Sequence, residues 1–251
     1  MGDIADDINE VFSLQSSIFK AIEMLQERTD ADTLSDVVIP PWVIQQAEGL
    51  VFMWTYKVGM FLSFSAGNGV VLRKKRGPGG EAQWSLPCAI SFGGAGFGLD
   101  FGAACSSSVC VLNSQEMVAH FGGQHVKLAL DAQACAGPVG RSVEGMLNVT
   151  ADEAANLDAA PCYTYGTSEG LFAGAGMHAT WVTVRDASNE DYYRRQLSGP
   201  AILGCFGHEA GEMGRRHEEI FRLHAALDKA GGVQRAKLSR NNTAEMRGTP
   251  F

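Results

Sequence analysis

The amino-acid sequence predicts an α+β fold, with a glycine-rich, antiparallel β core between flanking N- and C-terminal helices. Glycine is unusually common, at 30 of 251 residues, and shows no Gly-X-Y period. Because glycine is disfavoured in helices and favoured in turns and close backbone contacts, this composition indicates a β protein. The spacing of apolar residues also changes from a helical period to a period of two near residue 50, which is typical of strands.

The N-terminal part, residues 1–36, predicts one amphipathic helix. Its apolar residues recur at helical spacing and are Ile8, Val11, Phe12, Ile18, Phe19, Ile22 and Leu25. The polar face is acidic and carries only Lys20 and Arg28 as cations. Two interpretations follow: a helix packed on the core of its own chain, or a helix that docks on a membrane or a partner. The acidic face disfavours the membrane version, since anionic lipid attracts Lys and Arg.

The central part, residues 37–205, predicts the β core. Strands are expected at residues 50–64, 70–73, 88–92, 109–112, 126–132, 146–151, 162–167 and 170–184. Glycine runs at 66–69, 77–80, 93–96 and 122–123 predict the breaks between elements. Short helices are expected at 42–48, at 114–121 with Ser114 as N-cap, and at 189–197.

The C-terminal part, residues 206–251, predicts one helix and a tail. The helix is expected at 218–230, because Gly231 and Gly232 follow it directly. The tail from residue 233 is basic and predicts an extended arm with no core of its own.

The overall charge restricts the classes of partner. The formal net charge is −8, which excludes an attraction to nucleic acid over the whole surface. Contact with anionic lipid therefore requires a local basic patch.

No secretory signal opens the sequence and no CxxC pair occurs, so we expect reduced thiols in a cytoplasmic compartment. The six cysteines are Cys88, Cys105, Cys110, Cys135, Cys162 and Cys205.

Three sequence patterns contain residues of a catalytic or ligand-binding motif but lack the neighbouring residues or secondary structure that the motif requires. Ser168 lies in a GxSxG pattern, yet the following residues predict a strand, whereas a nucleophile elbow requires a helix there. The glycine run at 93–98 has Leu99 where a dinucleotide motif requires its third glycine, and predicts a turn between strands. His217 lacks a second histidine four residues later, as a zinc-protease helix requires. We therefore predict no catalytic residue, no metal and no cofactor.

The one dense basic run is Arg73-Lys74-Lys75-Arg76, which leads into the glycine-proline segment 77–80. The run is therefore expected at a hairpin tip, with four cations at one exposed point. Each cation near an anionic membrane gains about 1 kcal/mol. The alternative is a solvated loop without a ligand.

An ordered set of motifs between residues 39 and 205 resembles the SYLF domain family. No single motif is decisive, and the order of the whole set makes the resemblance specific. The segments are IPPWVIQQAEGL at 39–50, KVGMF at 57–61, GNGVV at 67–71, WSLPCAI at 84–90, GFGLDFG at 96–102, VLN at 111–113, GPVGR at 137–141, GLFAG at 170–174, and Asn189 with Tyr192-Tyr193.

The resemblance implies a β-rich, barrel-like core with flanking helices and no known catalysis. It also implies phosphoinositide binding, in part through the N-terminal helix, and some family members bind and bundle actin filaments. The chain departs from the family pattern at Glu169 and at Glu190-Asp191, which stand where the family often carries basic residues. Each departure removes positive charge that would hold a phosphate.

The combined prediction is a non-enzymatic, phosphoinositide-binding, peripheral membrane module. Arg141 is a candidate phosphate ligand, and the alternative for this residue is a structural role that fastens the 137–141 turn. Two other functions stay open: a scaffold subunit of a larger protein assembly, fastened by the acidic helix and the basic tail, and actin binding. The residues predicted to bind anionic phospholipid are Lys20, Arg73, Lys74, Lys75, Arg76 and Arg141.

Overall fold

Two long antiparallel strands form the centre of the molecule. The computed structural model describes residues 13–29, 38–77, 80–123, 125–132, 143–145, 163–173 and 176–232. Strand β1 (Gly49–Arg76) pairs with β3 (Cys88–Leu112) from Gly49 opposite Leu112 to Val71 opposite Cys88. The short strand β2 (Ala82–Trp84) pairs with the end of β1, after a turn at Gly77 and Gly80 that confirms the predicted break there.

Four further strands complete an antiparallel sheet. They are β4 (His125–Ala132), β5 (Val143–Gly145), β6 (Tyr163–Ala173) and β7 (Gly176–Val184). The order is β2-β1-β3-β7-β4-β5, and β6 also pairs with β3. Strand β7 pairs with residues 90–98 of β3, and β6 pairs with residues 101–111 of β3. Strands β6 and β7 therefore pair with successive parts of β3. Over the described strands the sheet stays open, and the predicted α+β class is confirmed.

Strand β1 folds back on itself, which corrects the predicted break at 66–69. A Cβ atom on Gly69 would collide with the carbonyl oxygen of Phe52, and one on Gly67 with that of Trp54. These glycines therefore bring the second half of β1 against its first half, and the strand continues through them. Strand β1 turns back at the point where the register of its pairing with β3 shifts, between Met60 and Leu62.

A second glycine run also lies inside a strand. Residues 93–98 belong to β3 and pair with both neighbouring strands, so the predicted turn there is wrong. The reason is visible at Gly93, where a Cβ atom would collide with the indole ring of Trp181 on β7. The glycine thus makes room for a cross-strand aromatic ring instead of a turn.

Seven helices surround the sheet in the described ranges. Helices α3 and α7 confirm the predictions at 114–121 and 218–230, and α4 begins three residues earlier than predicted. Helices α5 and α6 were not predicted from the sequence. None of the helices described is long and apolar enough to cross a membrane. The helices are α1 (Leu14–Glu27), α2 (Pro41–Gln46), α3 (Gln115–Gly122), α4 (Asp186–Tyr193), α5 (Gly199–Gly204), α6 (His208–Arg216) and α7 (Glu218–Ala230).

Helix α1 packs on the core of its own chain, against α7 and strands β1 and β3. It begins at the N-cap Ser13, whose hydroxyl accepts a hydrogen bond from the Ser16 N–H at 3.0 Å. At its other end the buried Arg28 donates to the carbonyl oxygen of Ser107 on β3 at 2.9 Å. The buried face is Leu14, Ser17, Ile18, Ala21, Ile22, Met24 and Leu25. This burial favours the first of the two interpretations of the N-terminal helix.

The cysteines that the structure describes are free thiols. Cys88 and Cys110 are buried, Cys205 is partly buried and Cys105 is exposed. Several predictions fall outside the described residues: the strand at 146–151, the basic tail from 233, Arg141, and the two other cysteines.

Candidate functional site

The most unusual surface of the described molecule is a group of large apolar side chains in the middle of β1. Their exposed fractions range from 58% for Val58, Phe61 and Phe64 to 73% for Met60. A contiguous exposed apolar surface in a folded protein commonly marks a contact with a membrane or another protein. We call this surface the apolar tip; its residues are Tyr56, Val58, Met60, Phe61, Leu62 and Phe64.

The apolar tip lies where β1 folds back and where the helices no longer cover the sheet. Residues 49–53 and 68–72 of the same strand are buried, so the exposed stretch lies between two core segments. Phe61 sits at the irregularity with a φ of 68°, a conformation that residues with a side chain rarely adopt. Such backbone strain is often retained where a functional surface requires it.

An open groove of about 490 Å³ runs along the apolar tip. This volume falls in the range of about 300–1,000 Å³ that is typical of sites for small ligands. Its walls come from both halves of β1 and from β3, and their side chains are mostly apolar. The lining residues are Tyr56, Lys57, Val58, Phe64, Ser65, Ala66, Ala103, Ala104 and Cys105.

The predicted basic run lies at the opposite end of β1, where the strand leaves the core. Lys75 and Arg76 are exposed and Arg73 is half-buried. Arg73 and Lys75 both lie over the ring of Phe206, each 5.8 Å from its centroid. The Nε atom of Arg73 also donates to the side-chain oxygen of Gln115 at 2.6 Å. We call Arg73, Lys75 and Arg76 the basic edge.

Lys74 does not belong to that exposed surface, which corrects the expectation of four exposed cations. Its side chain is 7% exposed, and its Nζ donates to the carbonyl oxygens of Ile44 at 2.8 Å and Gln45 at 2.7 Å. Both carbonyls belong to the last turn of α2, where a cation is favoured by the helix dipole. Alternation along the strand separates Lys74 from Arg73 and Lys75, because neighbouring side chains point to opposite faces. Arg76 is two residues after Lys74 and is exposed at the end of the strand.

The other two predicted lipid ligands lie elsewhere. The Nζ of Lys20 is 5.9 Å from the ring centroid of Trp54, which places this cation near the first half of β1. Arg141 lies outside the described residues. The structure therefore brings Arg73 and Lys75 together over Phe206, with Arg76 next along the strand, and leaves Lys20 apart from them.

Strand β1 joins the apolar tip and the basic edge in one acid-free segment. Residues 49–80 contain no Asp or Glu and five cations, in a chain with a net charge of −8. The sequence alone predicted a strand at 50–64 but not its exposure, because an apolar run of this kind is also typical of a buried strand. The missing carboxylates, together with apolar residues on both strand faces around Gly59, are the signal that could have indicated a surface.

The family motif residues Asn189, Tyr192 and Tyr193 have structural roles. Asn189 is fully buried, and its Oδ1 accepts from the N–H of Ala89 at 2.9 Å. The hydroxyl of Tyr193 donates to the carbonyl oxygen of Pro87 at 2.6 Å. The hydroxyl of Tyr192 donates to a carboxylate oxygen of Glu219 at 2.8 Å, which links α4 to α7. These contacts fix the start of β3 rather than form a ligand site.

Ser168 lies inside β6, opposite Ser106 on β3. The break predicted between the strands at 162–167 and 170–184 is therefore wrong, because β6 runs through it. A nucleophile elbow requires a sharp turn into a helix directly after the serine. Here β6 continues to Ala173 instead. The local geometry therefore does not support nucleophilic catalysis at Ser168.

Comparison with known proteins identifies relatives over most of the chain. A family model described as Ysc84, Las17-binding protein actin regulator, matches residues 93–230. The SH3 domain-containing YSC84-like protein 1 of Xenopus laevis is 34% identical over 184 residues, which are 72% of this chain and 52% of that protein. Protein YSC84 of Saccharomyces cerevisiae is 31% identical over 194 residues, or 76% of this chain and 40% of that protein.

A third relative is LAS seventeen-binding protein 3 of Saccharomyces cerevisiae, also 31% identical over 194 residues. The chain spans about half the length, or less, of these curated relatives. No solved structure matches it. The family match covers more than half of the chain and includes most of β3, the sheet's central strand, and helices α3 to α7. The chain therefore belongs to the SYLF domain family, the domain of the Ysc84-type proteins.

Proposed function

We propose that the chain is a non-catalytic module that docks on an anionic membrane surface, with phosphoinositide headgroups as the lipid class. The observation that carries this proposal is the acid-free strand β1, which holds two exposed cations and an exposed apolar tip in an otherwise acidic protein. Cations close to an anionic surface each contribute about 1 kcal/mol. A site of this kind acts at the cytoplasmic face of a membrane, where anionic lipids are concentrated.

Headgroup contact is assigned to the basic edge. Phosphate oxygens are held best by Arg and Lys side chains that are already ordered. The ring of Phe206 orders Arg73 and Lys75, and Gln115 fixes the guanidinium of Arg73 from the other side. Gln115 also donates to Glu48, and the carboxylate of Glu81 lies beside Gly77, so two carboxylates lie close to this edge and moderate its potential. Lys75 and Arg76 are the exposed members and the first to meet a membrane.

The test is a charge reversal at two adjacent exposed cations. The variant Lys75→Glu with Arg76→Glu should lose about 2 kcal/mol of affinity for vesicles of phosphatidylcholine and a phosphoinositide, roughly 30-fold. The matched control is Arg194→Glu with Arg195→Glu, an exposed adjacent pair away from β1. Co-sedimentation of the full chain measures both. Equal losses in the two pairs would show that the basic edge has no special role.

A second role is supported by the names of the relatives, which describe Las17 binding and actin regulation. We propose that this chain likewise serves in an actin-related adaptor assembly, with the SYLF core as the membrane-docking part or as a scaffold. Co-pelleting of the full chain with actin filaments tests direct contact with actin. A chain that stays in the supernatant at every filament concentration would exclude direct filament binding, and would leave contact with partner proteins as the adaptor mechanism.

A further inference from the structure

The apolar tip shows the order of side chains found where proteins enter a membrane interface. At its apex Met60, Phe61 and Leu62 offer only apolar atoms and are 58–73% exposed. Below the apex lies Tyr56, 61% exposed, whose ring is apolar and whose hydroxyl is polar. Trp181 is 42% exposed and lies next to Gly93, which pairs with Ala66 on the groove wall. Tyr and Trp are enriched at the boundary between headgroups and acyl chains.

The charges around the apolar tip match an anionic lipid surface. Lys57 lines the groove, and Lys20 lies over Trp54 just below it. Strand β1 carries no carboxylate, and the sequence of β3 contains one acidic residue, Asp100. These charges therefore fit shallow contact, with the apex at the acyl boundary and the cations among headgroups.

We propose that the apolar tip of β1 inserts shallowly into the acyl-chain boundary of an anionic bilayer, and that its occupant is lipid. The inference rests on the proposed membrane function and adds a second site to it, distinct from the basic edge. Helix α1 is not available for this task, because its apolar face is buried against the core of its own chain. The exposed apex suits a bilayer, which opens around it, while the groove beside it accepts an acyl chain.

An environment-sensitive label at the apex tests insertion directly. Two variants of the full chain, both with Cys105→Ser, are labelled with the fluorophore NBD: one carries Leu62→Cys, and the matched control carries Glu116→Cys, exposed on α3. With vesicles of phosphatidylcholine and a phosphoinositide, the emission at position 62 shifts to the blue and rises, and that at position 116 does not. Lipids with a spin label near the headgroup quench the fluorophore at position 62 more strongly than lipids with the spin label at the bilayer centre.

The outcomes separate this inference from the proposed function. Protein that co-sediments with the vesicles while the label at position 62 keeps its aqueous emission overturns insertion and leaves the basic edge intact. Protein that does not co-sediment at all overturns both proposals. A label that changes only when another protein is added assigns the apolar tip to a protein partner, and also overturns the inference.

A second variant checks insertion without a label. Phe61→Asp with Leu62→Asp lowers vesicle binding at high salt about tenfold or more, since apolar burial is the contribution that salt does not screen. The control pair is Trp42→Asp with Phe221→Asp, which removes two exposed apolar side chains outside the apolar tip. Circular dichroism establishes that both variants are folded. A loss of the same size in the control pair overturns the inference.

Discussion

The ammonium group of Lys74 lies 2.8 Å from the carbonyl oxygen of Ile44, inside the protein rather than on the basic edge that its sequence neighbours form. Burial lowers the pKa of Lys74 below its ordinary value, and Arg76 lowers it further, while Glu48 and Asp228 raise it. The cation thus closes the C-terminal turn of α2 at a cost in desolvation. Of the four neighbouring cations, this one stabilises the fold.

We expect Lys74→Met to destabilise the protein without a specific effect on lipid. The carbonyl oxygens of Ile44 and Gln45 lose their donor, which costs about 1–3 kcal/mol for buried groups. Urea unfolding measures this loss, and vesicle binding of the folded variant stays at the parent level. Lys75→Met should behave in the opposite way, with unchanged unfolding and weaker vesicle binding. A reversed pattern would place Lys74 in the lipid site.

The buried amide of Asn189 predicts a large stability loss on truncation. Its Oδ1 accepts from the N–H of Ala89 at 2.9 Å, and its Nδ2 donates to the carbonyl oxygen of the same residue at 3.4 Å. Asn189→Ala removes these two bonds and a third from Nδ2 to the Sγ of Cys88 at 3.6 Å, and it leaves a cavity. We therefore expect a loss of about 2–4 kcal/mol in the free energy of unfolding. The exposed neighbour Glu190→Ala should change it by less than about 0.5 kcal/mol. Chemical denaturation that finds equal effects would contradict this role.

Glycine at position 61 should relieve backbone strain at the apolar tip. Phe61 has a φ of 68°, which costs about 1–2 kcal/mol for a residue with a Cβ atom, and its side chain is 58% exposed. Phe61→Gly should therefore leave the free energy of unfolding unchanged or raise it by about 1 kcal/mol. Leu62→Gly, where φ is not positive, should lower it by about 1 kcal/mol. Thermal and urea unfolding compare the two, and equal destabilisation would argue against strain at Phe61.

The thiol of Cys88 predicts a loss of stability in alkali. Burial raises its pKa from 9.0 to about 12, against a smaller opposing effect from the hydrogen bond with Asn189. Between these values the unfolded chain loses the thiol proton and the folded chain keeps it. The contribution of this thiol to the free energy of unfolding is therefore fully present below about pH 9. Above that pH it falls by about 1.4 kcal/mol per pH unit.

Replacing this thiol should flatten the alkaline part of the stability curve. We expect the free energy of unfolding of Cys88→Ala to fall less steeply than that of the parent between about pH 9 and 12, by about 1.4 kcal/mol per unit. Below pH 8 the two curves should run parallel, offset by the lost packing. Parallel curves at alkaline pH would contradict the raised pKa.

The helices and their ends were the most predictable part of the fold. Ser114 begins α3 with a hydrogen bond to the N–H of Met117, and Gly231 follows α7, as the capping residues indicated. Such signals are local, so the sequence displays them. Helix α5 was missed because it has only six residues, and α6 because it contains two glycines, which are poor helix formers.

The glycine segments show where sequence reasoning fails. Gly77 and Gly80 form a turn, whereas Gly69 and Gly93 lie inside long strands. The difference depends on contacts with Phe52 and Trp181, which are distant in sequence and become neighbours only after folding. The exposed apolar tip was missed for a similar reason, since the sequence does not show which apolar residues remain uncovered.

The most direct test of the central claim, that β1 docks the protein on anionic membranes, is co-sedimentation of the unmodified full chain. Vesicles of phosphatidylcholine alone are compared with vesicles that also contain a phosphoinositide, each at low and high salt. We predict strong binding to the anionic vesicles at low salt, a large decrease at high salt, and weak binding to neutral vesicles throughout. Equal sedimentation with neutral and anionic vesicles, or none with either, would contradict the claim.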